Sequence, residues 1–157
     1  MNERPKLIEP VKRFSGELHH LKDNIAHCNS SYTSTTWNYT INENWAEDFF
    51  GNDYKTVLPI FELFINDILP QVDELEDVMK QSGITAVQNR AHKLNPAFKM
   101  MGHSSLAEAL AELEFHCAAE QNVDVIQDKI KAIQAITQKV KPFIKNQYYT
   151  ISKLAII

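Results

Sequence analysis

Glycine and cysteine are scarce in this chain, and no stretch of it is both long and apolar. Only four glycines punctuate 157 residues, and the runs between them are rich in Leu, Ile, Ala, Glu and Lys. That usage disfavours a sheet built on tight turns and favours helices. The two cysteines, Cys28 and Cys117, stand in no metal-type spacing, and nothing at the start reads as a secretory signal. They read as reduced thiols of a cytoplasmic protein. The longest apolar stretch, residues 57–69, is broken by Pro59, Glu62, Asn66 and Asp67, so no membrane span is expected. Positive charge is also short. A formal net charge of −4 gives no bulk basic field, which disfavours nucleic acid as a partner.

What is present is helical periodicity. In residues 6–28, Leu7, Val11, Phe14, Leu18, Leu21, Ile25 and Cys28 alternate steps of four and three, a heptad-type seam. Pro10 is tolerable near the start of that helix and Gly16 weakens its middle. The first 28 residues therefore read as an N-terminal amphipathic helix. Residues 29–37 follow as a Ser/Thr/Asn-rich linker, because such side chains bury little and bond to their own backbone.

A main domain is expected over residues 38–145. Trp45, Phe49 and Phe50 suggest a short helix stopped by Gly51-Asn52. A longer helix over 56–80 carries Leu58, Phe61, Ile65, Ile68, Val72, Leu75 and Met79 on one face, with Pro59 in its first turn and a bend at Pro70. A third runs over 85–101 and ends at Gly102. Ser105-Leu106-Ala107-Glu108 reads as a capping box opening a fourth, through Leu110, Leu113 and Cys117. Asp124 is expected to cap the last, with Ile126, Ile130, Ile133, Val140 and Ile144 inward. No segment alternates like a half-buried strand. The expected fold is all-α: an antiparallel four-helix bundle with an additional N-terminal helix. Residues 146–157 read as an apolar C-terminal tail that docks somewhere.

One histidine stands out. Val87, Ala91, Leu94, Phe98 and Met101 recur at steps of four, three, four and three. At about 100° per residue, His92 then points roughly 140° away from that stripe. Gln88, Asn95, Lys99 and His103 fall on its side, so the imidazole is expected to face water. A rigidly held, exposed imidazole is either a solvated surface group or a nucleophile, since a large share is uncharged near neutrality.

Ala91-His92-x-Leu94, then Gly102 ten residues after the histidine, then Leu106, Leu110 and Leu113-Glu114, resembles the histidine-containing phosphotransfer (HPt) domain. The preceding helix, with Phe61-x-x-Phe64 and Leu69-Pro70 ahead of Leu75, is similar to that family's second helix. The resemblance spans about residues 38–145 and departs at two positions. Where the family usually has Lys and Gly, three and four residues after the histidine, this chain has Asn95 and Pro96. A subset of the family carries Pro there with Phe two residues on, as Pro96 and Phe98 do. Pro96 cannot donate an N–H to the carbonyl of His92, so the helix should bend or loosen under the reactive side chain.

The resemblance implies a phosphorelay intermediate, not an enzyme. His92 would accept a phosphoryl group from a receiver-domain aspartate of a hybrid sensor histidine kinase and pass it to the receiver of a response regulator. It implies no cofactor, since the receiver brings Mg²⁺ and the acidic pocket. Lys93 and Lys99 would neutralise the phosphoryl group in place of the missing lysine, with Asn95 as a neutral donor. Ala91, Pro96 and Ala97 would leave room for the partner, and Gly102 and His103 would border the same surface. The departures at Asn95 and Pro96 also fit a second reading, a degenerate adaptor that binds receivers or a kinase without being phosphorylated.

A metal site is the rival chemistry. His19, His20 and His27 lie on the N-terminal helix, where His20 and His27 share a face, and His116 precedes Cys117. No second pair at ligand spacing completes a four-ligand set, so no metal is expected. The N-terminal seam fits either packing against its own bundle or a homodimer. Deleting residues 1–30 separates the two. A dimer lost on deletion, read by light scattering, assigns the seam to a second chain, and an unchanged mass assigns it to the bundle.

Overall fold

The computed structural model describes residues 42, 44–119 and 122–156, all of which lie in one compact unit, Thr40–Ile157. The N-terminal seam, the linker, Cys28, His19, His20 and His27 lie outside the described residues. Every regular element among the described residues is helical. They are α1 (Trp45–Phe50), α2 (Tyr54–Leu63), a π-turn (Phe64–Ile68), α3 (Pro70–Asp73), α4 (Leu75–Ser82), α5 (Ile84–Met100), α6 (Ser104–Ala118) and α7 (Val123–Ile156). The run from α2 to α4 is one interrupted rod. With α5, α6 and α7 it makes a four-helix bundle in which α5 packs on α4 and α6, and α7 on α2 and α6. The all-α expectation holds.

The boundaries follow local chemistry. Gly51 and Asn52, with φ of 57° and 61°, return N–H groups to Glu47 and Ala46 and end α1. The Asp53 carboxylate accepts from the Thr56 N–H and hydroxyl at 3.3 and 2.7 Å and caps α2. Those bonds, the side-chain one foremost, hold the Asp53 carboxyl below its usual range. Because α2 starts at Tyr54, Pro59 falls in its second turn, not its first. The expected bend at Pro70 takes a particular form. Its ring would strike the carbonyl four residues back, and the chain widens over Phe64–Ile68 so that the Leu69 N–H reaches the Phe64 carbonyl at 2.8 Å.

A second break at Glu74 frees the Val72 and Asp73 carbonyls, and α7 supplies their partners. Gln134 donates to both at 3.1 Å, while Gln138 and Lys141 reach the Asp73 carboxylate at 2.9 and 2.6 Å.

Three expectations at helix ends are corrected. The capping box does not form. Gly102 turns at φ 85° and the His103 carbonyl accepts from Ala107, so α6 starts at Ser104 with His103 as N-cap and no side-chain cap bond. The cap of α7 is Asn122, whose side-chain oxygen accepts from the Asp124 N–H at 3.0 Å, so Asp124 lies inside the first turn. Residues 146–156 are no separate tail. They continue α7, with Gln147 and Ile151 buried, and Tyr148 stacked on Phe61 with its hydroxyl on Glu62 at 2.8 Å. Asn146 and Gln147, where the tail was expected to begin, include no helix-breaking residue, and Gln147 is buried.

The core joins Phe61, Leu94, Phe98, Leu106, Leu110, Leu113, Ile126 and Ile130, all with almost no exposure. Polar side chains lie among them too, His103, Thr137 and Gln147 deepest. His103 is fully buried, parallel to the Phe64 ring and edge-on to Phe143, and its Nε2 donates to the Gln147 side-chain oxygen at 3.1 Å. Burial pushes its pKa down to about 4, with the Gln147 bond acting the other way. The unfolded chain holds this proton below about 6.5, so between about 6.5 and 4 it binds more protons than the fold does. Stability contributed by the neutral ring is complete above that window and drains away as pH falls through it. Acidification from pH 7.5 to 4.5 should therefore cost wild type roughly 2–3 kcal/mol more than a His103→Phe variant, read by urea unfolding.

Candidate functional site

His92 sits midway along α5 on its exposed side, with its side chain 72% exposed. The residues that bury α5 are Val87, Ala91, Leu94 and Phe98, so the periodicity that aims them inward aims His92 out. Among the described residues, its one hydrogen-bond partner comes from the next helix. His92 Nδ1 lies 2.7 Å from Glu114 Oε1 on α6. A carboxylate can only accept, so this contact selects the tautomer with the proton on Nδ1 and leaves Nε2, across the ring, with a free lone pair.

The helix pairing makes this contact. Gly102 turns the chain between α5 and α6, and its carbonyl accepts from the Asn42 N–H at 2.8 Å. No side chain fits there. A Cβ on Gly102 would stand 2.8 Å from the Asn42 carbonyl oxygen and 2.9 Å from Trp45. The antiparallel hairpin then sets Asn95 beside Ala107 and His92 beside Glu114.

The residues expected around His92 divide into two groups. Lys93, Pro96 and Lys99 are exposed as expected. Seven residues apart, His92 and Lys99 lie within about 20° of each other on the helix and about 10 Å apart along it. Lys93 is turned about 100° from His92, on the flank towards α4, where Arg90 reaches Glu74 at 3.0 Å. Three other expectations are corrected. Asn95 is half-buried and its amide donates to the Ala107 carbonyl, so it clamps α5 to α6 rather than facing the phosphoryl position. His103 belongs to the core, and Gly102 is buried under α1. Neither borders the His92 surface. Around Pro96 the chain stays helical, from Ile84 to Met100.

The space beside His92 also differs in origin. Ala91 is buried and Ala97 half-buried, whereas the exposed alanines on the neighbouring helix are Ala111 and Ala118. Glu114 was legible only as half of a Leu-Glu pair, with no role. Hairpin arithmetic could have found it. Gly102 lies ten residues after His92, and Glu114 twelve after Gly102. Cys117 is buried, which pushes its thiol pKa up, and takes no part. Among the described residues no group of three His, Cys, Asp or Glu side chains could hold a metal ion, and no helix is long and apolar enough to cross a membrane.

A site of this kind can do nucleophilic chemistry on an electrophile that a partner delivers, because none of the described residues closes over the imidazole. Compared with known proteins, residues 59–141 match the family model described as Hpt domain. No curated protein and no solved structure gives a match.

If Glu114 holds the reactive tautomer, Glu114→Ala should slow acquisition of a covalent group at His92 about ten- to hundredfold, the range for loss of an orienting partner. Glu114→Gln, whose amide oxygen still accepts from Nδ1–H, should recover part of the rate. Equal rates for all three proteins would show that the contact is incidental.

Proposed function

Since the chain belongs to the Hpt family, whose members carry phosphoryl groups in two-component signalling, we propose that it is a phosphorelay intermediate with His92 as phosphoacceptor. The observation that carries this reading is the exposed His92 ring with Nδ1 engaged by Glu114. The Nε2 lone pair attacks the phosphorus of a receiver's aspartyl phosphate. The N–P bond forms as the P–O bond breaks, and the electron pair of that bond leaves on the aspartate carboxylate. The phosphorylated ring keeps its Nδ1 proton and is cationic, and Glu114 stabilises that charge at 2.7 Å. Attack by a second receiver's aspartate on the same phosphorus reverses the step. The proton on Nδ1 never has to leave.

Proximity supplies most of the rate, since the imidazole is fixed on a helix and the acyl phosphate is fixed in the receiver. Lys99 is the cation we expect to attract the phosphoryl oxygens, because it is exposed on the His92 stripe and no short ion pair to a described residue claims it. Lys93 lies on the other flank, and Asn95 is committed to Ala107. The partners under this reading are receiver domains of a hybrid kinase and of a response regulator. The adaptor reading keeps the same surface and drops the covalent step.

His92→Gln should abolish labelling by a phosphorylated receiver and change stability by no more than about 0.5 kcal/mol, as expected for an exposed position. Lys99→Ala should slow transfer about 1.4- to fivefold, the equivalent of an exposed charge pair worth about 0.2–1 kcal/mol, and Lys93→Ala less. Acid-labile phosphate retained on the His92→Gln protein would remove the assignment. Receiver binding by a wild type that takes no label would select the adaptor.

A further inference from the structure

Phe115 is 67% exposed, and among the described residues it is the one large apolar side chain of α5 or α6 left in water. It follows Glu114 directly, so it lies about 1.5 Å further along α6 and about 100° further round, away from the core. The opposite flank of α6 is marked by Glu112, whose carboxylate lies 3.8 Å from Lys129 of α7. Phe115 therefore points outward from α6, about 100° from Glu114 and about 60° from Glu112, nearly level with His92. Ala111 and Ala118, both exposed, lie between the two. The imidazole and the aromatic ring are thus both exposed on one side of the bundle, with small side chains between them.

We propose that Phe115 is the apolar anchor of the receiver-docking face and selects receivers with an apolar socket, rimmed by basic side chains, beside the phosphoaspartate. The proposal rests on His92 being the phosphoacceptor, and area supports it. Packed helix axes lie about 8–10 Å apart, which puts Phe115 within roughly 15 Å of His92. A standard interface covers about 800 Å² per partner, a disc of roughly 16 Å radius, so a receiver centred on His92 covers Phe115. Interface cores are enriched in aromatic residues of this kind.

Charge defines the rim. Glu108 and Glu112 are exposed on the outer side of α6, beyond Phe115, while Lys93 and Lys99 are exposed on α5. The fitting receiver surface is basic where it overhangs α6 and acidic where it overhangs α5, with the apolar socket between.

The test uses the full chain as wild type, Phe115→Ala and Phe115→Leu. Two phosphoryl donors are compared: phosphoramidate, which needs no docking, and phosphorylated receiver domains of the organism's own hybrid kinases and response regulators. With phosphoramidate all three proteins should label alike. With the fastest receiver, Phe115→Ala should raise KM about tenfold or more while kcat stays within about twofold, and Phe115→Leu should fall between. An unchanged KM overturns the anchor and leaves His92 as phosphoacceptor. Equal losses with both donors also overturn it, because Phe115 would then act on His92 or on the fold. Should wild type take no label from either donor, the phosphoacceptor reading fails, and titration with the same receivers still decides. Weaker binding by Phe115→Ala supports the anchor, and equal binding refutes it. A wild type that binds no receiver overturns both.

Discussion

Gly102 fixes the geometry on which everything at the site depends. Its φ of 85° is one that other residues rarely adopt, and the Asn42 carbonyl and Trp45 leave no room for a Cβ. The turn it makes returns His103 N–H to the Phe98 carbonyl at 2.9 Å and starts α6 one residue after His103. The register of two antiparallel helices is thereby set at one point and read out a few turns away. At the first turn beyond, Asn95 meets the Ala107 carbonyl. Further on, His92 meets Glu114. A shift of one residue in α6 would rotate Glu114 by about 100° and leave the imidazole without its carboxylate.

The chemistry is economical because the protein supplies so little of it. Under the phosphorelay reading, the described residues offer a nucleophile with a chosen tautomer, a carboxylate to stabilise a cationic ring, and a lysine on the same stripe. They close no chamber over His92, and the proposed nucleophile has a side chain that is 72% exposed. Rigid placement takes over the role that pocket walls have in an enzyme. The extended α7 contributes at a distance. Gln134, Gln138 and Lys141 close the break at Glu74, and Gln147 holds His103 inside the turn, so both ends of the bundle are tied to one helix.

Features set by period and by backbone chemistry were legible in the sequence. The α5 stripe of Val87, Ala91, Leu94 and Phe98 aims His92 outward in any helix of 3.6 residues per turn, and Gly51, Gly83 and Gly102 mark real stops. Features set by tertiary partners were not. A polar residue after a glycine reads as surface loop, yet His103 is drawn inside by Phe64, Phe143 and Gln147. Asn95 reads as a solvated donor until Ala107 is placed beside it. Ser105 and Glu108 have the spacing of a capping box, but the Gly102 turn starts the helix earlier and leaves that motif inside it. Pro70 announced a bend without saying that the chain would answer by widening one turn before it.

The account turns on which nitrogen of His92 is protonated and which takes the phosphoryl group. Nuclear magnetic resonance on protein with ¹⁵N-labelled histidine reads both directly, before and after phosphorylation by a receiver. The geometry at Glu114 predicts a proton on Nδ1 throughout and a one-bond nitrogen–phosphorus coupling at Nε2 of His92. Coupling at Nδ1, or at any other histidine, would contradict it.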